Sequence, residues 1–275
     1  MESGQNKWLS LYLFHHGDAD QLLKQLIYPF IKQWRTPWFF IRYWEGGDHI
    51  RLRLKAAKKH HQLIAKSLSA ETSVIKLIQM AEYEPEIDRY GNLKSILWAE
   101  RYFECSSAYI LNWIANKQAN QSPMAQAIKL HLTLLFATGW DKQALISLCN
   151  SFLEGWLPKL FNQTEQKEQQ RLFWLNQFET VFITSKIKVI KAAEHFWQEL
   201  DARNVDGELN TYLSETITII KLYKSAGFEE DKLFQIISSF IHMNNNRLGI
   251  SNDEEAYIMY CIMACLQFIH KKPIQ

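Results

Sequence analysis

Four side chains between Tyr43 and Ala57 have the types and the spacing of an anion-binding site. Along this stretch His49, Arg51, Arg53 and Lys55 alternate with Ile50, Leu52 and Leu54. Successive side chains of a β-strand point to opposite faces, so alternate residues lie about 7 Å apart on one face. Arginine binds carboxylates and phosphates through parallel N–H groups, and it can also stabilise an enolate that develops during a reaction. The pattern predicts a cationic face for such an anion, although solvated faces and edge strands carry Lys and Arg too.

A second cluster of candidate residues is the segment YEPEIDRYGN, from Tyr83 to Asn92. Glu86 and Arg89 are three residues apart, and they share a face if the segment forms a helical turn. Taken alone, this spacing is equally typical of an exposed ion pair, which contributes little to stability.

The third cluster is FIHMNNNRL, from Phe240 to Leu248. A histidine such as His242 can act as an acid or a base, and Arg247 follows five residues later. Taken alone, the segment is also typical of a helix end, with His242 as a hydrogen-bonded terminal residue and the asparagines as a C-cap and turn.

Other catalytic templates are absent from the sequence. It contains no GxGxxG or GxxxxGK[ST] phosphate loop, no HExxH or CxxC metal motif and no GxSxG elbow. Cys261 and Cys265 lie one helical turn apart, but buried thiols are favoured over a metal pair because no His or Cys partner is nearby. We therefore expect no metal and no redox cofactor.

The elements that must position these residues begin with a sheet. Strands are predicted at Trp8–His16, on both sides of the glycine turn at 45–48 and at Ser73–Tyr83. Helices are predicted at Asp20–Arg35, with Pro29 inside and Asp18 as its cap, and at His60–Ser69. The order β-α-β-β-α-β predicts an α+β fold that begins with a ferredoxin-like lobe, residues 1–92, whose apolar sheet face meets helices.

From residue 93 onward the apolar periodicity is helical. We expect a helical lobe, residues 93–275, that packs with the first lobe as one unit and forms a cleft with it. The predicted helices are Leu93–Gln118, Pro123–Thr138, Lys142–Lys159, Glu165–Leu200 with an internal break, Asn210–Ser225, Asp231–Asn245 and Asp253–Lys271.

Composition limits the class of protein. The chain has 275 residues, 47% of them hydrophobic, and a net charge of +2, so it is globular and has no global field that favours nucleic acid. Base stacking in the manner of RNA-binding sheets is also not evident. With four cysteines, no signal peptide and no membrane-spanning run, we expect a reduced, cytoplasmic protein.

The three clusters together, WFFIRYWEGGDHIRLRLK, YEPEIDRYG and IHMNNNRLG, resemble the C-terminal domain of class I lantibiotic dehydratases. That domain also occurs alone as the thiopeptide-type bacteriocin biosynthesis family, and the resemblance spans nearly the whole chain. It implies a lyase that eliminates glutamate from glutamylated Ser or Thr of a precursor peptide, leaving dehydroalanine or dehydrobutyrine. A separate tRNA-dependent protein would add the glutamate.

The resemblance also implies roles for single residues. Arg51 and Arg53 match the arginines of the HIRLR motif, Glu86 and Arg89 match ExxR, and the histidine before the NR pair is His242. The implied catalytic set is Arg51, Arg53, Arg89 and His242, and the implied substrate-orienting set is Glu86, His49 and Arg247. The sequence departs from the family pattern at Asn92, where RYGG would have glycine, and at Ser106-Ser107, where an aspartate–serine pair is usual.

Three functions are consistent with these residues. Elimination puts negative charge on an amide oxygen and on the leaving carboxylate, which arginines stabilise electrostatically. The second function is the pyridine-forming [4+2] cycloaddition of thiopeptide pathways, and the third is a non-catalytic subunit that binds the precursor peptide. The sequence leaves the oligomeric state open, with a homodimer as one form.

Overall fold

The computed structural model describes residues 6–70, 73–162 and 166–269. These residues form two compact units. The first contains the described residues up to Asn120 together with Asn246–Gly249, and the second contains the described residues of 121–245 and those from Ile250 onward.

The first unit is built on a four-stranded antiparallel sheet, and the α+β class predicted from the sequence is confirmed. The strands are β1 (Asn6–His15), β2 (Trp38–Tyr43), β3 (His49–Ala57) and β4 (Ile75–Ala81), in the order β2-β3-β1-β4. Gly46 and Gly47 adopt φ of +78° and +107° in the turn between β2 and β3, a conformation that glycine adopts without strain. The turn therefore fixes which residues of β3 lie opposite β2.

Helices connect the strands as the periodicity predicts. Between β1 and β2 the chain forms α1 (Ala19–Leu22), a π-helical segment at Leu23–Ile27 and α2 (Tyr28–Gln33). Asp18 caps α1 by accepting a hydrogen bond from the backbone N–H of Asp20. The π segment ends two residues before Pro29, which cannot donate a backbone hydrogen bond to the preceding turn. Between β3 and β4 lie a 3₁₀ turn at Lys58–His60 and α3 (His61–Ser69).

One face of the sheet forms the core of this unit. The alternating leucines and isoleucine of β1 and β3 are at most 2% exposed, and they are Leu9, Leu11, Leu13, Ile50, Leu52 and Leu54. Burying each such side chain contributes roughly 2 kcal/mol. Because the period of a strand is two, this burial fixes the histidine and basic residues of β3 on the other face.

The outer edge of β2 is closed by side chains instead of by another strand. The N–H of Phe40 donates to Ser107 Oγ at 3.2 Å, and its carbonyl accepts from Arg247 Nε at 2.9 Å. Two residues on, the amide of Asn246 pairs with both backbone groups of Arg42, each at 2.9 Å. These contacts satisfy edge groups that would otherwise be open to pairing with another chain.

The helices after the sheet are α4 (Ile96–Asn116), which packs on β2 within the first unit, and the helices of the second unit. Their bounds are α5 (Pro123–Thr138), α6 (Lys142–Trp156) with a 3₁₀ turn at Leu157–Leu160, α7 (Lys167–Ile183), α8 (Lys186–Asp201), α9 (Gly207–Ser225), α10 (Glu230–Leu248) and α11 (Asn252–Phe268). In the second unit α11 packs against α5, α6 and α8, which makes it the central helix of that core. The predicted break in Glu165–Leu200 is confirmed between α7 and α8, while Glu165 itself lies outside the described residues.

The prediction that the asparagine run ends its helix is wrong. Helix α10 continues through the run to Leu248. The Asn244 side chain donates to the Tyr212 hydroxyl at 3.1 Å, and Asn245 Oδ1 lies 2.8 Å from His131 Nε2. Tertiary hydrogen bonds occupy these amides, so they do not compete for the helix backbone as asparagine otherwise does.

Within the described ranges, no helix is long and apolar enough to cross a bilayer.

Acid should destabilise the second unit through His131. Its imidazole is fully buried, and burial lowers its pKa from 6.5 to about 4. Below pH 6.5 the unfolded chain takes up a proton that the folded chain does not, so stability is lost as the pH falls through this window. The difference between the two pKa values corresponds to a loss of about 3 kcal/mol in the free energy of unfolding. The melting temperature of the wild type should fall more steeply between pH 6.5 and 4 than that of His131→Gln, which keeps a polar end for Asn245.

His49 adds to the acid sensitivity of both proteins in the same direction, because burial also lowers its pKa. The comparison of wild type with His131→Gln cancels that contribution. Parallel pH profiles for the two proteins would contradict the assignment to His131.

Candidate functional site

The histidine and basic residues of β3 lie on a sheet face that is rich in aromatic side chains. The register places His49 opposite Phe14 and Tyr43, Arg51 opposite Tyr12, and Arg53 opposite Phe39. Residues directly opposite in neighbouring strands point to the same face, so cations and rings are interleaved there. We call this surface the arginine face, and its β3 members are His49, Arg51, Arg53 and Lys55.

Arg51 is held between two tyrosine rings. Its guanidinium carbon lies 3.3 Å from the ring centroid of Tyr43 and 4.6 Å from that of Tyr12. Its Nε lies 3.4 Å from His49 Nε2. Rings attract the cation through their quadrupoles without neutralising its charge. The guanidinium is therefore oriented and still available to an anion.

Arg53 is the more deeply buried arginine of this face. The residue is 5% exposed, and its Nη1 has no hydrogen-bond partner among the described residues. Burial lowers the pKa of Arg53 to about 10, so the side chain remains charged at neutral pH. Its guanidinium carbon lies 5.4 Å from the Tyr12 ring and 5.6 Å from the Tyr83 ring. A buried cation with an unused donor is costly unless an acceptor binds there, so the geometry fits a site for an oxyanion.

His49 is oriented by the turn that precedes β3. Its Nδ1 lies 2.6 Å from the carbonyl oxygen of Gly47, which places the proton of the neutral ring on Nδ1. Burial lowers the pKa of His49, and the positive charges of Arg51 and Arg53 lower it further. His49 is therefore a neutral imidazole at physiological pH, and it adds no competing positive charge.

A buried carboxyl group of the first unit was missed by the sequence analysis. Glu100, in α4, is 9% exposed, and its carboxylate accepts hydrogen bonds from Tyr83 and Trp8. Burial raises the pKa of Glu100, and it also raises the pKa of Tyr83. The available signal was a glutamate among the apolar positions of a helix, beside Ala99 and Phe103. Glu100 positions Tyr83, whose ring lies beside Arg53.

Glu86 and Arg89 form the ion pair that their spacing suggested. The Nη1 of Arg89 lies 2.8 Å from a carboxylate oxygen of Glu86, and the two side chains are 35% and 61% exposed. A pair this exposed contributes at most about 1 kcal/mol to stability. The catalytic role of Arg89 and the orienting role of Glu86 stay predictions.

His242 lies in the second unit beside a buried carboxylate. Its Nδ1 is 2.9 Å from Glu255 Oε1, and its ring lies 5.0 Å from that of Trp156. The carboxylate of Glu255 is almost completely buried. A carboxylate on Nδ1 holds the ring proton there and leaves Nε2 as the basic nitrogen. The sequence analysis identified His242 but missed both Glu255 and Trp156, which are distant from it in the chain.

Arg247 lies in the first unit, and its side chain is fully buried. Its Nε donates to the carbonyl of Phe40 and to Ser107 Oγ, each at 2.9 Å, and its guanidinium lies 5.4 Å from the Phe103 ring. These contacts support the edge of β2. The substrate-orienting role expected for Arg247 stays a prediction.

Comparison with known proteins identifies the family of this chain. A profile described as "Lantibiotic biosynthesis dehydratase C-term" matches residues 8–266, so the chain belongs to the lantibiotic dehydratase C-terminal family. Among relatives, the nisin biosynthesis protein NisB of Lactococcus lactis subsp. lactis is 27% identical, and the alignment covers 94% of this chain. The chain spans only 25% of the length of NisB.

Solved structures share the fold. The tRNA-dependent lantibiotic dehydratase MibB from Microbispora sp. 107891 superposes with a TM-score of 0.66 at 18% identity, over 98% of this chain and 28% of MibB. The pyridine synthase TbtD from thiomuracin biosynthesis gives a TM-score of 0.70 at 11% identity, over 96% of this chain and 98% of TbtD. TsrL superposes with a TM-score of 0.70 at 12% identity, over 96% of this chain and 95% of TsrL.

Proposed function

We propose that this chain is a lyase that eliminates glutamate from glutamylated Ser or Thr residues of a ribosomally made precursor peptide. The observation that carries the proposal is the arginine face, where Arg51 is clamped between rings and Arg53 is buried with an unused donor. Membership in the lantibiotic dehydratase C-terminal family supports the reaction class.

The reaction breaks two bonds of the modified residue. A base removes the proton from Cα, the electron pair forms the Cα–Cβ double bond, and the Cβ–O bond breaks. Glutamate departs as a carboxylate with the electron pair of the Cβ–O bond, and dehydroalanine or dehydrobutyrine remains. Negative charge develops on the neighbouring amide oxygen and on the leaving carboxylate.

The arginines are assigned to stabilise these two developing negative charges. A preorganised donor in a water-poor site stabilises developing charge more strongly than water does. Arg53 supplies such a donor through Nη1, and Arg51 supplies a second guanidinium on the same face. Arg89 is assigned to stabilising the same charges, with Glu86 holding it in position.

His242 is assigned to proton transfer because of its position in the family motif and because Glu255 orients its ring. The Glu255 carboxylate stabilises the imidazolium that forms when Nε2 takes a proton, which favours a base function. The same pair can return that proton after elimination.

Several finer assignments belong to the same proposal. The strand order β2-β3-β1-β4 and the helices between β1 and β2 and between β3 and β4 support a ferredoxin-like arrangement. The partners are the precursor peptide and a separate tRNA-dependent glutamylation protein, and the reaction takes place in the cytoplasm. The fold shared with MibB, a tRNA-dependent lantibiotic dehydratase, supports the second partner.

The test is mass spectrometry of a glutamylated precursor peptide after incubation with the purified protein. We expect loss of the glutamyl adduct, with a net loss of one water from each modified Ser or Thr. His242→Gln should reduce this conversion by about two orders of magnitude, since general acid–base groups contribute that much or more. Glutamine still offers Glu255 an N–H donor, so the variant should remain folded.

The matched control is His195→Gln, since His195 is an exposed histidine of the same unit. It should convert the peptide at the wild-type rate. Full activity of His242→Gln would contradict the proton-transfer assignment, and an unchanged glutamyl adduct with the wild type would contradict the lyase proposal.

A second candidate function is formation of a pyridine ring by [4+2] cycloaddition of two dehydroalanines. It is favoured by one observation: the fold superposes on the pyridine synthase TbtD with a TM-score of 0.70, compared with 0.66 for MibB. An already dehydrated peptide distinguishes the two functions. Release of the leader peptide from that substrate would support cycloaddition, and an unchanged substrate would support elimination.

A further inference from the structure

A cleft of about 540 Å³ lies in the first unit at the end of β3, outside the residues assigned to the reaction. Its walls come from the end of α2, the end of β3 and the start of α3. The cleft is large enough for part of a peptide, since ligand pockets commonly have volumes of this size.

Arg35 supplies a positive charge to this cleft. Among the described residues the lining contains no carboxylate, and the sequence has no Asp or Glu between Asp20 and Glu45, the segment that contains Arg35. Lys55 also lines the cleft, but its ammonium lies 5.4 Å from the Trp8 ring and interacts with the carboxylate of Glu100. An exposed guanidinium without a nearby acid attracts an anionic partner.

The cleft also has an apolar wall with one unused donor. Ala56, Ile64 and Leu63 line it, and Leu63 is 68% exposed. The indole Nε1 of Trp34 is buried and has no hydrogen-bond partner among the described residues. Buried indole N–H groups normally donate to an acceptor, so this donor suits a carbonyl or carboxylate oxygen of a ligand.

Lys55 connects the cleft with the arginine face. It lines the cleft, and it follows Arg53 by two residues on β3, a distance of about 7 Å. A peptide whose reacting residue lies at Arg53 could therefore place a segment only a few residues away in the cleft.

We propose that this cleft binds an acidic, partly apolar segment of a peptide. If the proposed function is correct, that segment belongs to the precursor peptide, outside the residue that reacts. A carboxylate pairs with Arg35, an apolar side chain packs on Leu63, and an acceptor oxygen takes the N–H of Trp34. A peptide fits better than a nucleic acid because the lining combines this apolar wall with a single indole donor, whereas nucleic acid binding depends on stacking platforms and a track of phosphates.

The probe is a blocked, fluorescein-labelled peptide made only of Leu, Asp and Glu, titrated with the full chain and followed by fluorescence anisotropy. The comparison peptide has Asn and Gln in place of Asp and Glu. We expect binding of the acidic peptide and weak or no binding of the amide peptide. Arg35→Glu should weaken binding about tenfold, which corresponds to 1.4 kcal/mol. Leu63→Asn should weaken it as well.

The matched control is Lys24→Glu, which changes the charge by the same amount at an exposed position of the same unit outside the cleft lining. It should bind the acidic peptide nearly as the wild type does. A second readout is the ¹⁵N–¹H signal of the Trp34 indole, assigned by comparison with Trp34→Phe, which should move downfield when the peptide binds.

Three results would overturn the proposal: equal weakening by Arg35→Glu and Lys24→Glu, an indole signal that does not move, or tighter binding of an oligouridylate than of the peptide. Arg53→Met should still bind the acidic peptide. Binding of the acidic peptide by a wild type that eliminates no glutamate would overturn the proposed reaction only. Absent peptide binding, with normal elimination from a short glutamylated substrate, would overturn this inference only.

Discussion

Arg53→Met should lose elimination activity by a factor of about 100 to 1,000 while melting at the same temperature as the wild type or above it. Removing one preorganised donor from an oxyanion site costs about this factor in rate. The stability effect has the opposite sign because Arg53 is a buried cation whose Nη1 has no acceptor among the described residues. Replacing such a charge by an apolar side chain of similar volume is often neutral or stabilising.

The measurements are the rate of glutamate loss from a glutamylated peptide and the melting temperature of the same preparation. Arg101→Met serves as the control, since Arg101 is an exposed arginine of α4 in the same unit, and it should keep the wild-type rate. Normal activity of Arg53→Met would show that Arg53 has no role in the reaction. A large drop in its melting temperature would show that the charge has a structural partner.

Arg247→Met should lower the free energy of unfolding by on the order of 3 kcal/mol. The side chain is fully buried, and its Nε donates to the carbonyl of Phe40 and to Ser107 Oγ. A hydrogen bond to a charged donor contributes about 1.5–3 kcal/mol, and methionine leaves both acceptors buried without that donor. The edge of β2 should open first, since Phe40 lies at its centre.

Urea denaturation followed by circular dichroism measures the loss, and Arg203→Met, at an exposed arginine, is the control that should unfold at the wild-type midpoint. Asn246→Leu tests the same edge independently, because it removes both hydrogen bonds to the backbone of Arg42. Unchanged unfolding of Arg247→Met together with lost elimination would instead support the substrate-orienting role expected from the family motif.

The two arginines differ in a way that their sequence positions do not reveal. Arg53 and Arg247 are both buried. The Nε of Arg247 donates to a backbone carbonyl and to a hydroxyl of the same unit, whereas the guanidinium of Arg53 lies beside the Tyr12 and Tyr83 rings. Burial alone therefore does not distinguish an arginine that stabilises the fold from one that can bind a substrate.

The sequence by itself determined the strands, most helices and the composition of the arginine face. Those features depend on local periodicity: alternation in β3 places its leucines and its arginines on opposite faces, and the glycine turn sets the hairpin. Apolar spacing located α5 at its observed bounds and indicated the break before α8.

Only the tertiary structure decided which polar residues are buried and what they contact. Glu100, Glu255 and Trp156 lie in other elements than the groups that they orient, and no local periodicity links such pairs. The asparagines of α10 show the same limit, since their local preference for a helix end was overridden by partners such as His131 and Tyr212. Local periodicity determines the direction in which a side chain points. The hydrogen bonds and charges that set its orientation and pKa come from elements that meet only on folding.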